Sequence, residues 1–330
     1  MRVLLYEWCC SGGLAGADAP IAREGRMMLE ALATDAAKTP SHEVAVLVET
    51  GRPVDLPRET SLLPVRHGDD TAALVAAARY ADWTLVVAPE TDGILLERVR
   101  AVRAAGCRVL APADRVIELA TDKQATIDAL AARGAPVPAG RVVAAGEPIP
   151  PGFRLPAVRK SRAGCGGEGL RIIRSPGCPP ATEPARLETL VPGVPVGVSC
   201  ICGIGTTLVL PPLRQRFSAG DTPRYQGSDL LADKSQALRA TALASRAAAA
   251  VGADAGWLGV DMILGDHPGG RDDRILEVNP RVTTSFVAHA RLYASSLVAA
   301  MIDAAAGLVP HAVPAVDPGP DAGGFRLPDA

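Results

Sequence analysis

The sequence is poor in several residue types that most chains of this length use freely. Among its 330 residues are a single asparagine, Asn279, four lysines and 3% aromatic side chains. Glycine (33 residues), proline (29 residues) and arginine are abundant instead, which indicates a coding bias toward these types. A scarce residue that persists against such a bias is a candidate for a chemical role. Asn279 and the lysines therefore come first among the candidates.

Charge and hydrophobic runs argue against two classes of protein. The 34 basic and 36 acidic side chains leave a net charge of -2 without a long run of one sign, so a nucleic-acid partner that needs a broad basic face is not expected. The apolar stretch 292–309 is interrupted by serines and an aspartate, so neither a transmembrane helix nor a membrane partner is expected. Seven cysteines without a CxxC spacing, after a start that resembles a strand more than a secretory signal, predict reduced thiols in a cytoplasmic protein.

Motifs of several common enzyme classes are missing from the sequence. The five histidines show no metal-ligand spacing, and neither an HExxH motif nor a GxSxG elbow occurs, so zinc enzymes and serine hydrolases have no support. No GK[ST] phosphate loop and no HRD or DFG element is present, which excludes two common ATP-binding architectures. Cys9 and Cys10 lie beside a glycine turn, but without an evident partner histidine they are interpreted as packing or pocket-lining residues.

The first 112 residues alternate between short apolar segments and helical ones. Strands are predicted over 3–6, 42–48, 62–66, 83–90 and 107–112, and helices over 23–37, 71–81 and 94–106. The alternation predicts an α/β fold with a parallel sheet covered by helices. Ligands of such sheets bind beyond the carboxyl ends of the strands, which makes Glu7, Ser11, Gly12, Gly13 and Glu90 candidates for a substrate wall.

The sequence pattern changes twice in the rest of the chain. A helix predicted over 113–133 is followed, from about residue 137, by short strands typical of a small antiparallel subdomain. Beyond residue 191 the pattern predicts strands, a helix over 234–251, strands over 257–264 and 274–280, and a last helix over 298–308. The predicted divisions are 1–112, 113–190, 191–309 and a tail, 310–330, that lies on the surface or is disordered.

A glycine-rich loop and two lysines form the first candidate site. Residues 164–169, GCGGEG, match GxGxxG but lie between strand-like segments, so they predict a flap whose backbone N–H groups can cover phosphates. Lys160 precedes this loop and Lys123 lies on the preceding helix, and each ammonium can donate to phosphate oxygens. The alternatives are an unstructured hairpin turn and two solvated lysines. Lys38 and Lys234 are interpreted as ordinary surface residues.

The second candidate site is a set of oxygen donors near the carboxyl terminus. Glu277 and Asn279 have the i, i+2 spacing that places both side chains on one face of a strand, and Asp261 lies on the strand before it. Two carboxylates and an amide oxygen suit Mg²⁺ when substrate phosphates complete its coordination. The alternative is an asparagine turn before Pro280. Arg281 can stabilise developing charge, and three hydroxyl residues follow it: Thr283, Thr284 and Ser285.

In this order along the chain, the two lysines, the glycine flap, the distal aspartate and the terminal ExNPR motif (EVNPR) resemble the ATP-grasp superfamily over residues 1–309. Three segments, EWCCSGGL, APETDGIL and ILEVNPRVTTSF, are more similar to the tyramine–glutamate ligase group of methanofuran biosynthesis. The superfamily resemblance implies an α/β fold, α+β in the ATP-grasp part, with an amino-terminal parallel α/β substrate domain and two lobes that grip ATP. The small lobe would be 113–190 and the large, metal-binding lobe 191–309.

The resemblance also implies roles for individual residues. Lys123 and Lys160 would contact ATP phosphates, and Lys160 and Arg281 would be catalytic. The flap glycines would close over the phosphates: Gly164, Gly166, Gly167 and Gly169. Leu190 and Val191, after Glu188, would form the hinge that reads adenine, while Asp261, Glu277 and Asn279 would hold Mg²⁺, with Mn²⁺ as an alternative ion. Many relatives bind ribose with a glutamate where this chain has Pro195.

The implied reaction joins a small-molecule carboxylate, glutamate in the first instance, to an amine through an acyl phosphate. Tyramine, a tyrosine-like amine or a glutamate chain are the acceptors considered, within one-carbon cofactor biosynthesis. The alternatives are another ATP-grasp amino-acid or peptide ligase and a catalytically silent nucleotide-binding subunit. The sequence leaves open whether the chain forms a homodimer.

Overall fold

Three β-sheets organise the chain in the computed structural model, which describes residues 1–15, 20–164, 167, 169–316 and 323–327. The first sheet is parallel and belongs to the amino-terminal part, and the other two are antiparallel. No helix among the described residues is long and apolar enough to cross a membrane.

The parallel sheet has four strands in the order β3-β2-β1-β4. Its elements are β1 (Arg2–Glu7), α1 (Pro20–Ala36), β2 (Glu43–Glu49), β3 (Ser61–Val65), α2 (Asp70–Ala78), β4 (Trp83–Val87) and α3 (Ile94–Ala104). The predicted parallel, helix-covered sheet is thus confirmed. The predicted fifth strand over 107–112 is wrong, because this segment makes only one isolated bridge, between Thr84 and Val109.

Side-chain alternation along β1 explains why both faces of this sheet are covered. Val3 and Leu5 belong to a buried cluster that includes residues of α1, whereas Leu4 and Tyr6 belong to a second cluster with residues of α2 and α3. Successive residues of a strand point to opposite faces, so a continuous apolar run such as VLLY requires helices on both sides.

The helix predicted over 113–133 consists of two helices, α4 (Asp114–Thr121) and α5 (Lys123–Ala132). Asp122 separates them with an extended backbone, and its carboxylate accepts hydrogen bonds from the backbone N–H groups of Gln124 (2.9 Å) and Ala125 (3.2 Å). An aspartate at this position caps a new helix start and so interrupts the helical pattern. As a result Lys123 becomes the first residue of α5.

The small antiparallel sheet has the order β5-β8-β6-β7. Its strands are β5 (Gly140–Val143), β6 (Ala157–Ser161), β7 (Arg171–Ile173) and β8 (Ala185–Thr189). Strand β8 was not predicted, because its sequence ARLET carries two charged residues in a five-residue segment. Both charged side chains are nevertheless buried, for reasons given below.

The large sheet has the order β14-β13-β9-β11-β12-β15, with β10 paired to β9. Its part of the chain contains β9 (Val194–Gly203), β10 (Thr206–Val209), β11 (Leu213–Phe217), β12 (Tyr225–Leu230), α6 (Lys234–Val251), β13 (Gly256–Leu264), β14 (Arg274–Asn279), α7 (Phe286–Leu292), α8 (Leu297–Ala305) and β15 (Gly324–Arg326). Strands β11 and β12 and helix α7 were not predicted. In the predicted tail, β15 pairs with β12, so this described segment extends the sheet.

Lys38 is not the surface residue that the sequence suggested. Its ammonium donates to the backbone carbonyl of Tyr293 at 2.8 Å and pairs with the fully buried Asp35 at 3.2 Å. Asp35 in turn accepts hydrogen bonds from the Ser296 hydroxyl and the Val298 N–H, both at 2.9 Å. Because the aspartate needs these donors when it is buried, the pair ties α1 to the start of α8.

The fully buried His289 makes stability depend on pH. Its Nε2 donates to the Pro211 carbonyl at 3.0 Å, and burial lowers the pKa of His289 from 6.5 to about 4. Because the folded protein binds the proton more weakly than the unfolded chain, the stabilisation is complete above pH 6.5 and is lost as the pH falls through 4. Between pH 7 and pH 4, we expect this histidine to lower the free energy of unfolding by about 3 kcal/mol.

Urea unfolding between pH 7 and pH 4 tests this expectation. His289→Gln should unfold more easily at pH 7 but lose less stability on acidification than the wild-type chain. The exposed His311 provides the control, and His311→Gln should follow the wild-type pH dependence. Parallel pH profiles for wild type and His289→Gln would contradict the assignment.

Candidate active site

A cavity of about 1680 Å³ is lined by residues of both antiparallel sheets and of helix α1. Its volume exceeds the roughly 300–1,000 Å³ of a typical small-molecule pocket, so there is room for more than one ligand. Most of the sequence-predicted site residues line it, and they divide into a lysine end near the flap and a hydroxyl end near α1.

At the lysine end, Lys160 projects from β6 and is fixed by two partners. Its ammonium donates to the Leu276 carbonyl and pairs with the Glu188 carboxylate, both at 2.9 Å. The other oxygen of Glu188 accepts from Nε of Arg186 at 2.9 Å, and Arg186 also bonds to the Pro138 carbonyl at 3.1 Å. Glu188, implied by the resemblance to bind ATP, lines the cavity, and its contacts hold Lys160 in place.

This buried charge cluster predicts a strong effect on stability. Lys160, Arg186 and Glu188 are 6%, 1% and 3% exposed, so Glu188→Gln would remove the buried negative charge that both cations contact. We expect the free energy of unfolding to fall by about 3–5 kcal/mol. Chemical denaturation measures this change.

The matched control is Glu147→Gln in the same small-sheet region. Its partner Arg141 lies 3.1 Å away, and the two side chains are 32% and 55% exposed. Such an exposed pair contributes no more than about 1 kcal/mol. Equal denaturation midpoints for the two variants would show that the Glu188 cluster does not stabilise the fold.

Lys123 joins the start of the flap to the oxygen-donor residues. Its ammonium hydrogen-bonds to the Gly164 carbonyl and pairs with Glu277 at 3.1 Å. The helix start at Asp122 brings this side chain to the cavity, where Lys123 is 7% exposed. The two predicted phosphate-binding lysines therefore meet at one end of the same cavity.

The flap residues that the structure describes agree with a close covering loop. Gly164 and Gly167 line the cavity, as do Leu190 and Val191 of the predicted hinge and Pro195 beyond it. Gly169 has a positive φ of 68°, and a Cβ there would lie 3.2 Å from the backbone N of Ser161. Gly166 lies outside the described residues.

The oxygen-donor residues face each other across β13 and β14. Asp261 is directly opposite Glu277 in the register, and Asn279 follows two residues later on β14. The Asp261 carboxylate accepts from the Asn279 amide at 3.0 Å and from the Gln215 amide at 2.7 Å. Directly opposed like charges destabilise a sheet, and the Lys123 ammonium beside Glu277 compensates part of this repulsion.

The electrostatics of the three residues fit a divalent cation. Burial and the Glu277 carboxylate raise the pKa of Asp261 to about 6. Burial would also raise the pKa of Glu277, but Lys123 and Lys160 outweigh it and lower that pKa. Among the described residues no group of three His, Cys, Asp or Glu side chains is placed to hold a metal ion.

Arg281 lies beyond the oxygen donors and lines the cavity. Its Nε is 3.0 Å from the Glu90 carboxylate, and both side chains are largely buried. Glu90 itself does not line the cavity. It lies behind Arg281 and does not occupy the predicted substrate-contact position. This pair connects the carboxyl edge of the parallel sheet to the cavity.

The three hydroxyl residues proposed to contact substrate, Thr283, Thr284 and Ser285, line the cavity. The Ser285 hydroxyl lies 2.7 Å from that of Thr283 and 2.9 Å from that of Ser199. A Cβ at Gly259 would lie 2.9 Å from the Thr283 side chain, so the glycine makes room for this cluster.

The predicted substrate residues after β1 do not reach the cavity lining. Glu7 is 2% exposed, accepts from the Cys10 N–H at 2.8 Å, and leaves no room for a Cβ on Gly25 of α1. The buried Ser11 donates its hydroxyl to the Leu47 carbonyl at 2.8 Å. The neighbouring glycines are closely packed as well: Gly12 against Arg66 and Gly13 against Trp8. These residues shape the turn, and the substrate-wall prediction is corrected accordingly.

Several lining or supporting residues were not predicted. Arg186 carried a usable signal, since its i, i+2 spacing with Glu188 places opposite charges on one face of β8. Gln215, Glu24 and Tyr225 carried none, because their roles depend on strands and a helix that meet only in the tertiary structure.

A family model described as an ATP-grasp domain matches residues 120–285, just over half of the chain. The chain belongs to the ATP-grasp family. A second model, described as a pre ATP-grasp 3 domain, matches residues 43–117. The ATP-grasp match includes both lysines, the flap and the three oxygen-donor residues.

Solved structures share the ATP-grasp fold. A protein from Archaeoglobus fulgidus assigned to the ATP-grasp superfamily is 22% identical, with 95% of this chain and 90% of that chain covered and a TM-score of 0.67. D-alanine–D-alanine ligase from Bacillus anthracis is 15% identical (92% and 97% covered, TM-score 0.62), and L-amino acid ligase from Bacillus licheniformis is 12% identical (92% and 73% covered, TM-score 0.67). These similarities confirm the predicted fold class. No curated protein sequence matches the chain.

Proposed function

We propose that the protein is an ATP-dependent carboxylate–amine ligase that forms an amide through an acyl phosphate. The observation that carries the proposal is the meeting of two buried lysines and three oxygen donors in one cavity, with Arg281 beyond them. Residues 1–112 would supply the substrate domain, and 113–190 and 191–309 the two lobes around ATP.

The residues divide the work by position. Lys123 and Lys160 would bind phosphate oxygens, and the described flap glycines would cover them with backbone N–H groups. Asp261, Glu277 and Asn279 would hold Mg²⁺, whose charge would neutralise the phosphates when bound. Because Lys123 pairs with Glu277, its ammonium group points toward the proposed metal-binding residues.

The first step transfers the terminal phosphoryl group of ATP to a carboxylate oxygen and releases ADP. In the second step an amine nitrogen attacks the acyl carbon, phosphate leaves, and the amine loses a proton as the amide forms. Arg281, beside the cavity, would stabilise negative charge on the phosphoryl group and on the tetrahedral intermediate. The reaction needs no nucleophile from the protein, so catalysis consists of positioning and electrostatics.

For the substrates we propose glutamate and tyramine or a tyrosine-like amine, in methanofuran-type one-carbon cofactor biosynthesis. The support is the similarity of EWCCSGGL, APETDGIL and ILEVNPRVTTSF to the tyramine–glutamate ligase group. The two Bacillus proteins are named as ligases, which is compatible with the reaction class, but these names describe those proteins.

ADP and phosphate release with glutamate and a panel of amines tests the proposal. Hydroxylamine in place of the amine should intercept the acyl phosphate as a hydroxamate, which separates the first step from amine recognition. Hydroxamate with an amino acid other than glutamate would favour another ATP-grasp ligase. ATP binding without ADP formation on any panel would favour a silent subunit, and no ATP binding would refute the proposal.

A further inference from the structure

One half of the cavity is lined by elements to which the proposed reaction assigns no role. Helix α1 contributes Glu24 and Met28, strands β11 and β12 contribute Phe217 and Tyr225, and the segment after β15 contributes Leu327. Thr284 and Arg281 also line the cavity, so a ligand in this half would lie near the arginine proposed to stabilise the tetrahedral intermediate.

Glu24 provides a carboxylate for such a ligand. Its side chain is half-buried and makes no hydrogen bond or salt bridge with any residue in the described part of the chain. Burial raises the pKa of Glu24, although Arg281 lies near enough to act against this shift. A desolvated carboxylate without a close partner is a favourable site for a cation.

An aromatic wall stands beside this carboxylate. The rings of Phe217 and Tyr225 have centroids 5.8 Å apart, and those of Tyr225 and Phe325 are 6.2 Å apart. Three of the chain's eleven aromatic residues (three Trp, four Tyr, four Phe) thus cluster here. Met27 and Ala31 of α1 pack against the same buried cluster as Tyr225, and Glu24 lines the same cavity one helical turn before Met27.

We propose that this half of the cavity binds the acceptor as a primary amine with an aryl body. Glu24 receives the ammonium group, and Phe217 and Tyr225 contact the ring. Asp261 and Glu277 are less suited to the ammonium group, because amide donors and Lys123 already occupy them. The inference rests on the proposed ligase function and adds the residues that choose the amine.

Calorimetry with the full chain, AMP-PNP and Mg²⁺ tests the proposal, with tyramine, phenethylamine and uncharged 4-ethylphenol as probes. Glu24→Gln should weaken binding of both amines by about ten- to hundred-fold and leave 4-ethylphenol unchanged, since only the charged contact is lost. Glu30→Gln, on the same helix outside the cavity lining, is the matched control and should bind like wild type.

A second variant tests the aryl wall. Phe217 is 39% exposed, so Phe217→Leu should fold, weaken tyramine binding and leave isopentylamine binding nearly unchanged. Equal tyramine affinity in wild type and Glu24→Gln would overturn the proposal, as would failure of the wild type to bind either arylamine. AMP-PNP binding in the same titrations distinguishes failure of the ligase proposal from failure of the amine site. If the wild-type chain does not bind AMP-PNP, the ligase function is refuted. If it binds AMP-PNP but no amine, only the amine site is refuted.

Discussion

Replacing Asn279 by alanine is expected to reduce ADP formation by about a thousand-fold or more. The variant loses the amide oxygen proposed for Mg²⁺ and also the donor that holds Asp261 at 3.0 Å. A bound cation stabilises transferring phosphoryl groups by several kcal/mol, and each 1.4 kcal/mol corresponds to about a tenfold change in rate. Steady-state ADP release at several Mg²⁺ concentrations, with glutamate and tyramine, measures the loss.

The fold of this variant should remain intact, because Asn279 lies at the end of β14 and borders the cavity. Its thermal unfolding transition serves as the check. Asp272→Ala, an exposed position between β13 and β14, is the control and should retain activity. Activity of Asn279→Ala near the wild-type level would contradict the metal-site assignment.

The second large effect is expected for Arg281→Ala, which should lower kcat by about 100- to 1,000-fold while nucleotide affinity stays close to wild type. Arg281 borders the hydroxyl end of the cavity and is oriented by Glu90 at 3.0 Å. A preorganised cation acts on charge that develops in the transition state, so its removal affects the rate more than ground-state binding. Single-turnover rates and AMP-PNP titrations separate the two quantities.

An arginine that is 74% exposed, Arg271, offers the matched control, and Arg271→Ala should leave both quantities unchanged. Arg281→Lys should recover part of the rate, because an ammonium keeps the charge but not the planar, multiply donating guanidinium group. If Arg281→Ala instead weakened nucleotide binding as much as it slowed turnover, the arginine would serve ground-state binding.

Local patterns were sufficient for much of the fold. The apolar runs and helical segments of the first 112 residues predicted the parallel sheet, and helix α6 begins and ends where its alanine-rich pattern does. The errors have local causes. Asp122 caps a new helix inside an otherwise continuous pattern, and β8 carries an arginine and a glutamate whose burial depends on each other.

The residues of the candidate site also fall into a group that the sequence could predict and a group that it could not. Lys123, Lys160, Asp261, Glu277 and Asn279 were recognisable from residue type, scarcity and spacing, and the structure brings them to one cavity. Glu7 and Ser11 seemed equally suitable by position, yet their polar atoms are used inside the turn after β1. Sequence position cannot distinguish a carboxylate that faces a ligand from one that a neighbouring N–H already satisfies.

The sequence by itself determined a set of candidates for the chemistry: a sole asparagine, two of four lysines, and carboxylates spaced for one strand face. Only the tertiary structure decided the partners of these groups, because hydrogen bonds and ion pairs across sheets depend on strand register and helix packing. It placed Glu90 behind Arg281, Glu188 between two cations, and Glu24 in the cavity that Phe217 and Tyr225 also line. The role of a charged side chain depends on the residues that bury it and on the opposite charges beside it. In this protein, residues distant in the sequence supply the burial and the opposite charges.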